Sequence, residues 1–592
     1  MPQLAPERGR TATPSGQSLP RRGREAALIA GYLLLAAGLT TAQWGRSDRL
    51  FHQYSDQVLF EWMLARTARA LVAGENPLHS DAVGFPDGVN LMANTSVLGL
   101  GVPLTPVTLL FGSQVAFLVA VAGCLAGTAA AWYFLLSRTL VRSRAAAAVG
   151  GLFCGFAPGM IAQAGAHLHM AAQFLVPVIL WLVFDPRPGR TVRRGTALGL
   201  TVTYQVFLGE ETLVFLVLAC GLFALAYAVC DPATARRRAP ELLGRLGVGT
   251  LTALPLLVYP LWWQFFGPQH YRGMPFDVDA YALDLLSFGS WATQTVAGGA
   301  TSAAGLAPNA TEENSFFGVP LLLLSVVAVI RLRRRPLVRA LAACGLVFAL
   351  LALGSSVGVG GTDTGLPGPY RLLREVPLLD LAVPARFPLI VVPVIAILLA
   401  LLLDDVWQRD GRIAGRIPAR GVWAVAVAAA LLPLTPTPIR TVPFAPVPDF
   451  ISSGQWRGYV PDGRTLVAVP PVGGGEATSG MLWSARTGVA FAAPGGFYIG
   501  PSGPGDPQAH WGAPDRPTSV LLRHVARSGQ VPVVTDADRA QAVADLRHWR
   551  AAVVVLGELR HGDAVRQTVE LLLGPGTRAD DVWIWDVRDQ AA

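Results

Sequence analysis

The chain has 592 residues, of which 52% are hydrophobic and only 15% are charged, and its mean hydropathy is +0.44. Soluble proteins contain about 25% charged residues, so this composition excludes an ordinary soluble enzyme and predicts a membrane protein. The net charge of +8 does not indicate binding to nucleic acid, because the arginines flank apolar segments instead of forming one patch. We expect membrane lipids with anionic headgroups as their partners.

Eleven apolar runs are long enough to cross roughly 30 Å of hydrocarbon. They lie at residues 26–44, 114–136, 146–163, 170–184, 195–209, 212–230, 246–266, 316–330, 340–357, 386–403 and 421–439. All 47 basic residues are arginine, and they concentrate in alternate loops, which the positive-inside rule makes cytoplasmic. Residues 1–25 are then a disordered cytoplasmic tail and residues 26–440 a multi-span membrane domain. Because the number of spans is odd, residues 441–592 lie outside the cytoplasm.

Two segments follow the first span in the predicted first extracytoplasmic loop. The pattern from Gln57 to Ala73 is amphipathic, which predicts a helix lying along the outer membrane interface. The stretch from Val97 to Gly112 is apolar but contains Pro103 and Pro106. We expect it to be a re-entrant or interfacial segment that does not cross the membrane.

After Arg440 the chain becomes typical of a soluble domain. Short apolar runs at residues 466–469, 531–534, 551–556 and 582–585 predict strands, and they alternate with helical patterns at residues 518–527, 536–550 and 563–573. Such alternation predicts an α/β domain. The expected fold is therefore a mainly α, polytopic membrane protein with a C-terminal extracytoplasmic α/β domain.

Acids and histidines collect in the loops of the predicted extracytoplasmic face. Five loops contribute the candidate site residues, which are Asp56, His167, His169, Glu210, Glu211, His270, Arg272, Glu313 and Arg386. An acidic pair at the end of a membrane span is costly unless it faces water, a cation or a ligand. We interpret the set as one active cleft; contact with lipid headgroups is the alternative.

Several short motifs give the chain a resemblance to a known family. They are Tyr54-Ser55-Asp56, Gly74-Glu75-Asn76-Pro77-Leu78, Phe85-Pro86-Asp87-Gly88-Val89-Asn90-Leu91, Gly155-Phe156-Ala157-Pro158 with Gly165-Ala166-His167-Leu168, Glu313 before Phe317-Gly318, and Val383-Pro384-Ala385-Arg386-Phe387. With these motifs residues 26–440 resemble the polytopic glycosyltransferases of the C superfamily (GT-C), which use polyprenyl-phosphate-linked sugars. The resemblance implies that Asp56, the acid of the first outer loop, is the catalytic base or a metal ligand. Where many members have a second acidic motif, this chain has His167 and His169.

The resemblance implies transfer of a sugar from a polyprenyl phosphate to an envelope glycan, lipid or protein. The absence of lysine, with abundant Ala, Gly, Pro and Arg, is typical of a GC-rich bacterial genome, so we expect the protein in a bacterial plasma membrane. Such a reaction needs a base for the acceptor hydroxyl and positive charge for the departing phosphate. We expect Asp56 to take the acceptor proton in an inverting displacement through an oxocarbenium-like transition state. We expect the forked guanidinium of Arg386 to bind the oxygens of the departing phosphate, with Arg272 or His270 as a helper.

The remaining candidates are expected to bind the substrate or a metal ion. Glu210, Glu211, His167 and His169 are predicted to hold sugar hydroxyls or a divalent cation, and Glu313 to bind substrate. If a metal is bound, a carboxylate-rich site favours Mg²⁺ or Mn²⁺, with Asp56, Glu210 and Glu211 as ligands.

Two other functions stay open at this stage. A transporter or flippase of a lipid-linked or envelope polysaccharide usually places ionisable groups near the middle of the membrane, within repeated halves; here they lie at span ends, and no repeat is evident. A non-catalytic assembly protein would tolerate replacement of Asp56. Asp404 and Asp405 fall in a predicted cytoplasmic loop, where we expect a solvated span end and not a site.

Overall fold

The computed structural model describes residues 21–591 apart from residues 186, 188, 300, 410–411, 414–416 and 472–478. Most of the predicted cytoplasmic tail, residues 1–20, lies outside the described residues. The membrane part is mainly helical, as the composition predicts. Its helices are α1 (Arg21–Leu39), α2 (Tyr54–Ala73), α3 (Leu98–Leu135), α4 (Arg144–Phe156), α5 (Pro158–Ala164), α6 (Leu168–Ala171), α7 (Val176–Phe184), α8 (Thr191–Val206), α9 (Glu210–Cys230), α10 (Pro232–Phe266), α11 (Val319–Leu332), α12 (Pro336–Leu351), α13 (Pro388–Gln408) and α14 (Ala419–Leu431).

Short two-stranded ladders lie in the loops of this part. Their strands are β1 (Arg49–Phe51), β2 (His79–Ser80), β3 (Val89–Asn90), β4 (Ser356–Val359), β5 (Thr362–Pro367), β6 (Arg412–Ile413) and β7 (Ile417–Pro418). Three antiparallel pairs are local hairpins: β2 with β3, β4 with β5, and β6 with β7. The strand β1 instead pairs with β8 (Thr441–Pro443), so the loop after α1 is tied to the segment that follows the membrane part.

Four helical segments among the described residues are long and apolar enough to cross a membrane: residues 98–140, α9, α10 and residues 384–408. The bent pair α4 and α5 would add a fifth, and α11, α12 and residues 419–434 are shorter apolar helices. The chain is thus a membrane protein. The number of eleven crossings stays a prediction.

Helix α3 contains a break that separates the predicted second span from the stretch before it. Gly112 has a φ of 85°, a backbone conformation that residues with a Cβ rarely adopt. The stretch Val97 to Gly112, expected to be re-entrant or interfacial, is helical from Leu98 despite its two prolines.

Helix α2 differs from the amphipathic interfacial helix that the sequence predicts. Most of its residues are buried, including Phe60, Trp62 and Met63 but also Gln57 and Glu61. It packs against α3 on one side and against residues of the C-terminal segment on the other. The prediction of an interfacial position was wrong because protein, not lipid, covers the apolar face, and this cover comes from distant sequence.

The C-terminal segment contains one larger sheet. Its elements are α15 (Asp449–Ser452), β9 (Thr465–Ala468), α16 (Ser479–Arg486), β10 (Ile499–Gly503), β11 (Asp506–Trp511), α17 (Pro517–Ser528), α18 (Asp536–His548), β12 (Ala551–Leu556), α19 (Gly562–Leu573), β13 (Thr577–Ala579) and β14 (Val582–Asp586). The strand order is β13-β14-β12-β9, with β9 parallel to β12 and the other pairs antiparallel. Helices α17, α18 and α19 pack with Val467 and Val554 of the sheet.

One predicted strand of this segment is absent from the described structure. Residues 531–534 form no strand, and the Val533 side chain is 93% exposed. The apolar run is interrupted by Pro532, which cannot donate a ladder hydrogen bond, so alternation of valines alone does not make a strand here.

Candidate active site

Arg386 lies at the centre of a group of polar side chains from four separate elements. It ends a 3-10 turn, Pro384–Arg386, directly before α13. Its Nη1 donates to Glu211 Oε2 at 2.7 Å, and its Nε and Nη2 donate to Glu312 Oε1 at 3.0 and 2.9 Å. Nη2 also lies 3.2 Å from His167 Nε2. We call Arg386, Glu211, Glu312 and His167 the Arg386 cluster.

Two amides hold Glu312 in this position. Asn314 Nδ2 donates to Glu312 Oε2 at 3.0 Å and to the Ala385 carbonyl at 2.8 Å. Gln163 Nε2 lies 3.4 Å from the same carboxylate oxygen and 3.0 Å from Asn314 Oδ1. Glu312, Asn314 and Gln163 are fully buried. Both oxygens of Glu312 therefore have partners, and its geometry is fixed.

The two histidines are held in the neutral form. Burial lowers the pKa of His167 and His169, and the charge of Arg386 lowers both further. Because arginine can only donate, His167 Nε2 accepts from Arg386. The proton of His167 is then on Nδ1, which donates to Gln163 Oε1 at 2.8 Å. His169 Nε2 is 3.8 Å from Glu211 Oε2, and its buried Nδ1 has no hydrogen-bond partner among the described residues.

Glu210 and Glu211 occupy the first turn of α9, and each keeps one carboxylate oxygen without a protein partner. Glu210 Oε2 accepts from Gln264 Nε2 at 2.8 Å, whereas Glu210 Oε1 and Glu211 Oε1 are buried and, within the described part of the chain, unpaired. A buried unpaired acceptor costs about 1–3 kcal/mol. Such atoms point to hydrogen-bond donors that the protein itself does not supply.

Asp56 lies in the first turn of α2, close enough for the charges of the Arg386 cluster to act on it. Burial of its carboxyl raises the pKa of Asp56 to about 6; Arg386 lowers this pKa, while Glu312 raises it. The residue is nevertheless partly exposed. A carboxyl with a pKa near neutrality and access to solvent is suited to general-base chemistry.

The structure brings only some of the predicted site residues together. Asp56, His167, His169, Glu211 and Arg386 converge, and Glu210 is adjacent to them on α9. Glu313 does not join them: its carboxylate accepts from the Thr293 N–H and the Thr293 hydroxyl, both at 2.5 Å. Glu312, the residue before it, makes the contact with Arg386.

His270 and Arg272 are also apart from the Arg386 cluster. His270 Nδ1 lies 2.9 Å from the Gly267 carbonyl. Arg272 is exposed and pairs through its backbone with Pro507 and Ala509 of the C-terminal segment. Among the described residues neither side chain hydrogen-bonds to Asp56 or Arg386, so neither assists Arg386 in this structure as the sequence suggested.

The residues expected to bind Mg²⁺ or Mn²⁺ do not fit a metal site as placed. No three His, Cys, Asp or Glu side chains in the described ranges are grouped closely enough to hold a metal ion. Glu211 is engaged by Arg386 and Glu210 by Gln264, and a guanidinium at the centre of the cluster competes with a cation for the same carboxylates.

Three residues of the site were missed in the sequence. Glu312, Gln163 and Asn314 surround Arg386, and only Glu312 carried a signal, as the neighbour of the predicted site residue Glu313. A residue-by-residue sequence interpretation cannot distinguish adjacent glutamates on a turn, because the turn decides which side chain faces inward.

A large apolar cavity begins next to the Arg386 cluster. Its volume is about 590 Å³, and Met170, Gln173 and Thr212 line its end near the cluster. It follows one face of α9 as far as Ala228, about 24 Å at 1.5 Å per residue. Arg238 and Asp185 line its far end. A charged cluster thus lies near one end of an apolar space that runs along α9, a helix long and apolar enough to cross a membrane.

Three solved structures are similar to this chain. The arabinofuranosyltransferase AftD from Mycobacteria is 15% identical with a TM-score of 0.56, and the likeness covers 96% of this chain but 42% of AftD. The archaeal oligosaccharyltransferase AglB from Archaeoglobus fulgidus is 12% identical, with 91% and 70% of the two chains covered and a TM-score of 0.46. ArnT from Cupriavidus metallidurans, bound to undecaprenyl phosphate, is 12% identical, with 95% and 98% covered and a TM-score of 0.47.

The likeness to AftD shows the fold, and the resemblance to the GT-C superfamily stated from the sequence is confirmed at that level. A family model described as a domain of unknown function, DUF6311, matches residues 69–376. Since this is more than half of the chain, the protein belongs to that family. No curated protein matches this chain.

Proposed function

We propose that the protein is a membrane glycosyltransferase that moves a sugar from a polyprenyl-phosphate donor to an envelope acceptor, with Asp56 as the base. The observation that carries the proposal is that the Arg386 cluster lies near one end of the apolar cavity, whose lining includes Thr212, the residue after Glu211. A lipid-linked sugar has this same division between a polar, charged head and a long apolar chain. AftD, which shares the fold, is an arabinofuranosyltransferase.

In the proposed reaction Asp56 accepts the proton of an acceptor hydroxyl. The acceptor oxygen forms a bond to the anomeric carbon while the bond from that carbon to the phosphate oxygen breaks, and polyprenyl phosphate leaves with the electron pair. A single displacement of this kind inverts the anomeric centre. The raised pKa of Asp56 makes its carboxylate a stronger base than an exposed aspartate.

The unpaired polar atoms supply a second part of the proposal. Glu211 Oε1 and His169 Nδ1 lack protein partners among the described residues, and we assign them to the hydroxyls of the donor sugar. Arg386, the cation of the cluster, faces the lipid phosphate in this proposal. Because two carboxylates already engage it, it neutralises the phosphate only in part, and its first task is to hold Glu211 and Glu312 in place.

The proposed setting is the extracytoplasmic face of a bacterial plasma membrane. The alternating arginine-rich loops of the sequence support the orientation, with the acceptor an envelope glycan, lipid or protein. The cavity beside α9 is the space we assign to the polyprenyl chain.

The test is turnover of a defined donor by purified protein in lipid nanodiscs. A panel of polyprenyl-phosphate-linked pentoses and hexoses, each with a radiolabelled sugar, is incubated with wild-type protein and with Asp56→Asn. We expect protein-dependent release of polyprenyl phosphate from at least one donor, and a loss of about 100-fold or more in Asp56→Asn, in line with removal of a general base.

Glu313→Gln is the matched control. It replaces a buried carboxylate next to Glu312 whose hydrogen bonds among the described residues go to Thr293, so it should retain turnover close to wild type. Absence of consumption and of binding with every donor, from a folded and inserted protein, would remove the enzyme proposal in favour of a transporter or flippase. Full activity in Asp56→Asn would exclude Asp56 as the base and would leave the rest of the proposal unchanged.

A further inference from the structure

The C-terminal segment is packed directly against the helix that carries Asp56. Helix α16 lies along α2, and Met481, Leu482 and Ala485 of α16 belong to the same apolar core as Trp62 and Met63 of α2. The segment therefore packs against the helix that carries Asp56, and it is not a separate domain joined to the membrane part by a linker alone.

An ion pair fixes this contact. Arg486, the last residue of α16, donates from Nε to Glu61 Oε2 at 3.2 Å and from Nη1 to the Ser47 carbonyl at 2.7 Å. Glu61 is fully buried, and a buried carboxylate is strongly unfavourable without its partner. Ser484 Oγ adds a hydrogen bond from Trp62 Nε1 at 3.3 Å. The C-terminal segment thus supplies the counter-charge for an acid inside α2.

From Glu61 the hydrogen bonds lead to the first turn of α2. Glu61 Oε1 accepts from Gln57 Nε2 at 2.8 Å. Gln57 Oε1 accepts from the Phe51 N–H at 2.7 Å, and Gln57 exchanges two hydrogen bonds with Gln43, at 2.9 and 2.8 Å. Gln57 directly follows Asp56 in the chain, so this buried network holds the turn that presents Asp56.

We infer that Arg486 is a positioning residue for Asp56: through Glu61 and Gln57 the C-terminal segment holds the first turn of α2 in the orientation that directs Asp56 toward the Arg386 cluster. The inference rests on the proposed function for the role of Asp56. It gives the C-terminal segment a task within the site, independent of whether that segment also contacts the acceptor.

Hydrogen exchange tests the inference without any substrate. In Arg486→Gln the backbone amides of residues 54–61 should exchange about tenfold faster than in wild type, because local opening of the turn becomes easier. The matched control is Arg516→Gln, which removes the arginine partner, at 2.7 Å, of Asp545, another fully buried acid. Arg516 lies within the sheet-bearing part of the C-terminal segment, and its loss should leave residues 54–61 unchanged.

A second variant covers the case in which Arg486→Gln does not fold. Glu61→Gln/Arg486→Gln removes both charges and leaves no bare carboxylate, while residue 61 still accepts from Gln57. Its exchange at residues 54–61 should lie between wild type and the single variant. Wild-type exchange rates at residues 54–61 in a folded Arg486→Gln, or in the double variant when the single one does not fold, overturn the inference.

Turnover of a polyprenyl-phosphate sugar distinguishes positioning from a general structural role. Arg486→Gln should lower kcat about 10- to 100-fold, the effect of a misplaced catalytic group, with little change in the KM of the donor. Water reaching a loosened Asp56 lowers its pKa, because burial is the largest cause of the elevation and outweighs the lowering by Arg386. The acid limb of the pH profile should then move to lower pH, and an unchanged limb with an unchanged kcat contradicts positioning. If wild type turns over no donor, the proposed function fails while the exchange experiment still decides the inference.

Discussion

The two ends of helix α13 each carry buried acids bound to arginine, but they differ in how completely those acids are paired. At the start of the helix Arg386 joins Glu211, Glu312 and His167. At its end Asp404 and Asp405 are buried; Asp405 binds Arg331 and Arg409, at 3.0 and 2.8 Å. We call this second group the Asp404–Asp405 network. The ends are about 30 Å apart for 21 helical residues.

All four carboxylate oxygens of the Asp404–Asp405 network have partners. Asp404 Oδ1 accepts from the Arg142 and Ser143 N–H groups, at 2.9 and 2.7 Å, and Oδ2 accepts from Gln408. The prediction of a solvated span end was wrong, because these acids are buried and hold the turn before α4. At the other end Glu211 Oε1 and His169 Nδ1 lack partners in the described part of the chain. Buried charge alone therefore does not identify a site, and the two ends of α13 differ in whether all polar atoms of their buried groups are paired.

The largest effect is expected from Arg386→Met, which leaves the buried Glu312 and the partly buried Glu211 without their cation. Loss of one partner from a buried pair costs about 3–5 kcal/mol, so the free energy of unfolding should fall by that amount and transfer should be abolished. Thermal unfolding in detergent and donor turnover in nanodiscs measure the two effects.

Arg331→Met provides the comparison at the opposite end of α13. Asp405 retains Arg409 at 2.8 Å and Arg335 at 3.6 Å, so the melting temperature should fall less and transfer should persist. Equal destabilisation by both variants would contradict the distinction between the two ends.

The variant Glu211→Gln tests whether the unpaired oxygen Glu211 Oε1 binds the donor sugar. The amide keeps one oxygen for Arg386 but loses the charge with which we propose Glu211 Oε1 receives a sugar hydroxyl. A hydrogen bond to a charged group contributes about 1.5–3 kcal/mol, so the KM of the donor should rise about 10- to 100-fold. Steady-state kinetics measure it, with Asp405→Asn as a variant whose KM should equal that of wild type. An unchanged KM in Glu211→Gln would remove the sugar-binding assignment.

The pH dependence of transfer reports on Asp56. A base works only when ionised, and the pKa of Asp56 is raised to about 6, so kcat/KM should fall about tenfold per pH unit below pH 6. Below that pKa the carboxyl carries a proton and cannot accept one from the acceptor. The neutral histidines predict no further loss near pH 6.5, because burial lowers their pKa values. A profile flat from pH 7 to pH 5 would exclude Asp56 as the base.

The sequence predicted the fold class and the convergence of distant loops better than it predicted individual contacts. Apolar runs and the strands at 466–469, 551–556 and 582–585 have strong local signals, and β9, β12 and β14 follow them. The sequence could place four distant loops in one region, because the ends of spans on the same membrane face lie close to each other. These loops carry Asp56, His167, Glu211 and Arg386.

Contacts that depend on turns or on distant segments could not be predicted. Whether Glu312 or Glu313 faces Arg386 depends on the 3-10 turn Ala310–Glu312, which has no distinctive pattern. The burial of α2 depends on α16, more than four hundred residues later in the chain. No local periodicity records such a partner, which is why Glu61 and Arg486 carried no signal in the sequence.

The smallest effect is expected from Asp404→Ala, which tests whether the Asp404–Asp405 network has any part in transfer. The substitution leaves the N–H groups of Arg142 and Ser143 without their acceptor, a loss of about 1–3 kcal/mol in stability. Because Asp404 lies at the far end of α13 from Arg386, the two sites should behave independently, and turnover by the folded protein should stay within about twofold of wild type. Turnover reduced as strongly as in Glu211→Gln would mean that the two ends of α13 are coupled, and complete pairing of buried acids would then no longer separate a structural network from a site.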